Sequence, residues 1–336
     1  MSNEFRPAWW LNNRHLQTIY PALLRRVVAP IDLRRERLES PDGDFVDLDW
    51  LYDRQPTLAI LLHGLAGSSR SGYIVGVQRR LHQLGIGSVA LNFRGCGGEM
   101  NRLARCYHSG DTEDVDFLYR TLRRRLPDTA LAAVGFSLGG NVLLKWLGER
   151  RDSIELFGAV AVSVPLMLNL CADRLDRGLS KIYRDYLLRE LKQYIVAKRR
   201  HLHRLGRIQQ AGLLDDLGDL APIRSFWEYD DRVVARLHGF SDAHDYYRRS
   251  SSRQFLGRIE VPTLILQAED DPFMTPAVLP AAAELASGVT LQVCGGGGHV
   301  GFVGGHLPWR PTFWLEQRIG DFLLAHLPES SRETGG

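Results

Sequence analysis

Short runs of apolar residues recur along this chain with helical patterns between them, and that rhythm limits the fold more than any other feature. "LAILLH" (58–63), "GSVALN" (87–92), "ALAAVGF" (130–136) and "LFGAVAVSV" (156–164) are apolar at successive positions. A strand shows alternate residues to opposite faces, so such runs belong to strands covered on both sides. Helical patterns at 73–85, 111–126 and 138–150 separate them; the first ends in a glycine cap and the second opens with acids and closes with arginines, matching the helix dipole. Strand and helix in alternation predict an α/β fold with a mostly parallel central sheet flanked by helices. One earlier stretch differs. "DFVDLDWL" (44–51) sets Val46, Leu48 and Trp50 against Asp47 and Asp49, which predicts an antiparallel strand with one face in water.

The rhythm breaks after residue 165. Residues 166–257 read as helical and polar, with no buried-strand run, and the sheet resumes with "VPTLILQA" (261–268) and "VTLQVC" (289–294) before a closing amphipathic helix. An insertion that long is no plain loop and predicts a helical cap or lid. The domain organisation expected is an α/β core over 33–165 and 258–328, with the cap at 166–257 between its two parts. An N-terminal segment, 1–32, would pack on the body, and a disordered tail would cover 329–336.

"AAVGFSLGGN" (132–141) carries the candidate chemistry. In a chain with 33 glycines a G-x-S-x-G string arises by chance roughly 0.2 times, so its context must decide. Ser137 ends a buried strand and begins a helix, which is the setting of a nucleophile elbow. Side chains at Gly135 and Gly139 would collide with neighbouring backbone in so tight a turn. A serine hydroxyl needs a base, and the base needs a group to hold its tautomer. In the chain order Ser, acid, His, "LILQAEDDPF" ends one strand with Asp270 and Asp271, and "LQVCGGGGHVGF" ends the next with His299. Counting from the small residue Ala268 selects Asp271 as the acid, with Asp270 the alternative. For an oxyanion hole the donors expected are the N–H of Leu138, directly after the serine, and that of Leu65, after His63-Gly64. His63 reads as a structural residue ordering that loop. "NFRGCGGE" (92–98) lacks the Gly-Lys-Ser/Thr of a phosphate loop and reads as a sharp turn, with Arg94 bracing loops near the site.

Composition narrows the function classes. A net charge of +3 gives little reason to expect nucleic acid. Cys96, Cys106, Cys171 and Cys294 are scattered, which fits reduced thiols in a cytoplasmic chain better than a disulfide framework or a zinc site. No signal-peptide pattern opens the sequence, and no apolar run is long enough to span a membrane. The aromatic and basic "RPAWWLNNRHLQTIYPALLRR" (6–26) is expected to pack on its own domain, with peripheral membrane contact the alternative.

Taken together, "NNRHLQTIYPALLRR", "LLHGLAGSS", "NFRGCGGE", "YHSGDTEDV", "GFSLGGN", "HGFSDAHDYY", "QAEDDPF" and "GGGGHVGF" resemble the YheT-like family of α/β-hydrolases, from about residue 7 to residue 325. The resemblance implies an α/β-hydrolase fold with a cap and a Ser137–Asp271–His299 charge-relay system. It also implies carboxylester hydrolysis, with short- or medium-chain acyl esters and acylglycerols as substrates. Eukaryotic relatives tend to carry an N-terminal membrane anchor, which this sequence is read as lacking. A serine esterase without metal or organic cofactor is therefore expected. Acyl transfer by the same triad, or lipid binding without catalysis on the same scaffold, are the rival readings.

Overall fold

The computed structural model describes residues 4–24, 31–51 and 56–329. Eight strands form one sheet: β1 (Arg34–Glu39), β2 (Phe45–Leu51), β3 (Thr57–Leu62), β4 (Gly87–Asn92), β5 (Ala130–Phe136), β6 (Gly158–Val162), β7 (Thr263–Ala268) and β8 (Val289–Cys294). Their order is β1-β2-β4-β3-β5-β6-β7-β8. Pairing is antiparallel from β1 to β2 and from β2 to β4, and parallel across the rest.

The apolar runs fill two cores at once. On β3, Leu58, Ile60 and Leu62 face one side and pack with α3 (Glu113–Arg125) and α4 (Leu138–Arg150). Ala59 and Leu61 face the other side and pack with α2 (Gly72–Gln83) and the closing helix Trp314–Ala325. The period-2 alternation of a strand thus supplies both layers from one sequence run. The helix ends also follow their signals. Glu113, Asp114 and Asp116 occupy the first turn of α3 and Arg123, Arg124 and Arg125 its last turn. Gly85, two residues beyond α2, takes φ +72°, a left-handed turn open to glycine.

β2 departs from expectation: it is buried along both faces, with Asp47 3% and Asp49 0% exposed. The reason lies on β1, whose arginines cross over the acids. Arg35 donates to both Asp49 oxygens at 2.7 Å, and Arg37 to those of Asp47 at 2.8 and 3.0 Å. Asn92 of β4 donates to Asp49 at 2.9 Å. Bidentate pairs and a neighbouring amide satisfy the carboxylates, so a face that looks wet in sequence is closed by its partners.

Between β6 and β7 the chain is helical: α5 (Leu168–Leu175), α6 (Ser180–Arg204), α7 (Ile208–Asp215), α8 (Phe226–Tyr229), a π-helical segment Asp230–Ala235, α9 (Arg236–His238) and α10 (Ala243–Ser250). This insertion has its own core, including Leu188, Ile195, Leu202, Leu214 and Tyr246. Leu65 and Phe273 pack against both this core and the one under the sheet, so they sit where the two meet.

The N-terminal stretch lies on the body. Helix α1 (Arg14–Leu24) follows the buried Phe5, Ala8 and Leu11, and the Gln17 amide donates to the Val303 carbonyl at 2.9 Å while accepting from the Val303 N–H at 2.8 Å. Val303 opens a hairpin of β9 (Val303–Leu307) and β10 (Arg310–Phe313), which leads into the closing helix, α11 (Trp314–Ala325). The tail expected to be disordered falls, from residue 330 onward, outside the described residues. Among the described residues no helix is long and apolar enough to cross a membrane.

Candidate active site

Ser137 sits between β5 and α4 with φ 51° and ψ −119°, a conformation that costs a non-glycine residue about 1–3 kcal/mol. A Cβ on Gly135 would lie 2.5 Å from the Gly139 carbonyl oxygen, and one on Gly139 would lie 2.5 Å from the His63 carbonyl oxygen. Both glycines are therefore demanded by close backbone approach. The Ser137 N–H donates to the Val162 carbonyl at 2.8 Å, and its own carbonyl accepts from Asn141 at 3.0 Å, which fixes the turn from both ends.

His299 arrives from the loop after β8. Its Nε2 lies 2.9 Å from Ser137 Oγ and its Nδ1 lies 2.8 Å from Asp271 Oδ2. Asp271 follows β7; its side chain is 1% exposed, and Oδ1 accepts the Phe273 N–H at 2.8 Å. A buried carboxylate on Nδ1 fixes the tautomer that leaves Nε2 free to take a proton. The neighbouring Asp270 takes a different part, accepting the Gly298 N–H at 2.9 Å. Burial pushes the Asp270 carboxyl above its usual value. Of the two adjacent acids, Asp271 meets the imidazole and Asp270 meets the backbone of the loop that carries it.

Several residues that the sequence did not single out hold this loop. The His299 N–H donates to Thr18 Oγ1 at 2.9 Å, and the Val300 N–H donates to Ser163 Oγ at 3.0 Å. The Phe273 ring stacks on the imidazole, with centroids 4.0 Å apart and planes within 5°. Thr18 lies 281 positions away from His299, so no spacing rule reaches it; only the fold brings α1 against the loop.

The Leu65 loop runs beside the serine, since a Cβ on Gly64 would stand 3.2 Å from Ser137 Cβ. Tyr73 and Tyr107 hydroxyls accept the N–H groups of Gly64 and Ala66, each at 2.9 Å. The Leu65 N–H between them has no acceptor among the described residues. Leu138 is the first residue of α4, where a helix leaves its N–H groups without internal partners. His63 braces the loop. The Phe93 N–H donates to its Nε2 at 3.1 Å, so Nδ1 carries the proton and donates to the Gly64 carbonyl at 2.8 Å. Burial lowers the His63 pKa to about 4, which keeps the ring neutral in that role. Arg94, 2% exposed, bonds both oxygens of Asp114 at 2.7 and 2.8 Å and reaches Asp42 at 2.7 Å, tying the 92–98 turn to its neighbours.

Ser137, Leu138, Leu65 and His299 open onto a cavity of about 760 Å³ whose other wall belongs to the insertion, with Leu168, Leu175, Leu187, Leu191 and Phe226. A hydroxyl bonded to an imidazole, unspent N–H groups beside it and a mainly apolar chamber above form an arrangement able to run acyl chemistry.

Comparison with known proteins places this geometry in a family. A family model described as the alpha/beta hydrolase fold matches residues 58–305. The Escherichia coli (strain K12) protein named "Putative esterase YheT" is 42% identical over 98% of this chain and 96% of its own length. The Mus musculus phospholipase ABHD3 is 29% identical over 93% of this chain and 76% of its own length. Among solved structures, the Pyrococcus furiosus esterase Pf2001 overlays with a TM-score of 0.55 at 18% identity, covering 88% of this chain and 91% of that one, which speaks for the fold. The chain is a YheT-like member of the α/β-hydrolase family.

Proposed function

We propose that this chain is a serine hydrolase of carboxylic esters, acting on short- to medium-chain acyl esters, monoacylglycerols among them. The observation that carries the reading is the unbroken hydrogen-bond line from Asp271 through His299 to Ser137 at the floor of the cavity. In the proposed cycle His299 Nε2 takes the Ser137 proton as Oγ attacks the ester carbonyl, and Asp271 stabilises the imidazolium. The oxyanion rests on the N–H groups of Leu138 and Leu65, each worth about 3 kcal/mol in the transition state. The imidazolium then protonates the leaving alcohol, and water, activated by the same ring, releases the acid. Side chains and water supply every group the cycle needs. The helical insertion serves as a cap whose leucines receive the acyl chain, which favours a lipid-like ester over a sugar or peptide. Names of relatives agree in kind: besides the esterase and phospholipase above, a Saccharomyces cerevisiae monoacylglycerol lipase is 30% identical over 80% of this chain and 59% of its own length.

The test is a ladder of p-nitrophenyl esters and monoacylglycerols, run beside labelling with a fluorophosphonate. The wild-type chain is expected to turn over esters and to take one label. Ser137→Ala and His299→Ala are expected to lose turnover while keeping the far-UV circular dichroism of the fold. A folded wild-type protein that takes no label would refute the esterase reading in favour of a binding protein. A label followed by acyl transfer to added alcohols rather than to water would redirect it to acyl transfer.

A further inference from the structure

Asp230 is a buried acid in the cavity that the proposed cycle does not use. It opens the π-helical segment Asp230–Ala235 of the insertion and lines the same cavity as Ser137 and His299. The residue is 8% exposed, and its Oδ2 accepts the Tyr247 hydroxyl at 2.6 Å. Among the described residues Oδ1 has no hydrogen-bond partner, and the residue lines the cavity. No cationic side chain among the described residues pairs with the acid. Burial dominates its surroundings and pushes the carboxyl up to about 7, with the Tyr247 hydroxyl the opposing influence. Of the residues that line the cavity with it, Leu138, Leu191 and Phe226 are apolar, and Ser109, Tyr194 and Tyr247 carry hydroxyls.

A buried acid with one oxygen unspent in a mainly apolar chamber is costly unless something arrives to bond it. The π-helical turn widens the helix where Asp230 leaves it, a distortion frequent at functional sites. A hydroxyl group suits this spot better than a cation. It donates to the carboxylate and accepts from the neutral acid, so it fits either protonation state, and it brings no net charge to a buried side chain. We infer that Asp230, held by Tyr247, forms a subsite for a free hydroxyl group on the ester substrate. The inference rests on the esterase reading and names a feature of its substrate class. The hydroxyl belongs either to the leaving alcohol, as in a monoacylglycerol, or to the acyl chain, as in a hydroxy-fatty ester.

Two substrate pairs separate these sources. In the first, 1-octanoylglycerol is compared with propyl octanoate; in the second, methyl 8-hydroxyoctanoate is compared with methyl octanoate. The readout is the ratio of kcat/KM within each pair, for wild type, Asp230→Asn and Tyr247→Phe. Wild type is expected to favour the hydroxylated member of one pair, and Asp230→Asn to shrink that ratio about tenfold or more. Tyr247→Phe is expected to shrink it less, and it carries the test if Asp230→Asn does not fold. A wild-type ratio near one in both pairs, or a ratio the variants leave unchanged, overturns the inference while plain octanoate turnover leaves the esterase reading standing. A preference confined to octanoylcholine, run as a third arm, overturns it in favour of a cation subsite. No turnover of any ester overturns the esterase reading and this inference with it.

Discussion

Asp270 and Asp271 differ by one position in the chain, yet the strand end sends them to different partners. Asp271 Oδ2 faces the imidazole at 2.8 Å, while Asp270 Oδ1 holds the N–H of Gly298 at 2.9 Å. Replacing a tautomer-holding carboxylate with an amide leaves the geometry but presents the wrong hydrogen to Nδ1. In a serine triad that costs about 10⁴-fold in kcat. Asp271→Asn is therefore expected to lose about that much with KM little altered. Asp270→Asn keeps an oxygen for Gly298 and is expected to lose less than about tenfold. Kinetics on one short p-nitrophenyl ester decide the matter, and a larger loss in the Asp270 variant would reverse the assignment. At this scale much was legible beforehand. Ser137, Asp271 and His299 stand out because strand ends and glycine spacing are local signals, and the structure brings them within hydrogen-bond reach of one another. Which of two neighbouring acids turns toward the ring is a matter of side-chain direction; counting from Ala268 ranked them but left Asp270 open.

Elements were readable where their reasons are local. The strands β3 to β7 announce themselves as apolar runs because helices cover both faces, and α3 shows its dipole in its own acids and arginines. Elements whose character comes from distant partners were not. β2 looked half wet because nothing near Asp47 and Asp49 in sequence says that Arg35 and Arg37 of the adjoining strand will cover them. The N-terminal segment was expected to pack on the body, with peripheral membrane contact the alternative; its part in holding the His299 loop had no sequence signal. Helix α1 grips that loop through Thr18 on the His299 N–H and Gln17 on Val303, so it is placed to act on the imidazole through the position of the loop. Thr18→Val removes the acceptor and is expected to lower kcat about tenfold, the cost of one well-placed hydrogen bond, with KM nearly constant. Thr18→Ser restores the hydroxyl and is expected to recover most of the rate. If Ser proves as poor as Val, the threonine serves only helix packing, and the positioning role fails.

At the scale of the molecule, an α/β body and a helical insertion with its own core meet at a chamber. The body presents Ser137, His299 and the Leu65 and Leu138 amides from the carboxyl ends of parallel strands, where open α/β sheets place their sites. The insertion, packed around its own leucines and tyrosines, supplies the opposite wall without contributing to the hydrogen-bond line of the triad. On the proposed esterase reading, such a division lets chain-length preference change independently of the chemistry, since the wall can be altered while the rim of the sheet stays as it is. Leu187 is suited to the test: it lines the cavity, is only partly buried, and sits on α6 of the insertion. Leu187→Trp would add bulk to the chamber from the insertion side. The expected result is a p-nitrophenyl ester profile shifted toward shorter chains, each lost methylene contact being worth about 0.8 kcal/mol, with acetate turnover and fluorophosphonate labelling of Ser137 retained. A uniform loss across all chain lengths would mean that the tryptophan disturbs the rim itself. An unchanged profile would mean that the acyl chain runs elsewhere, and either result would sink the assignment of the insertion wall to the acyl chain.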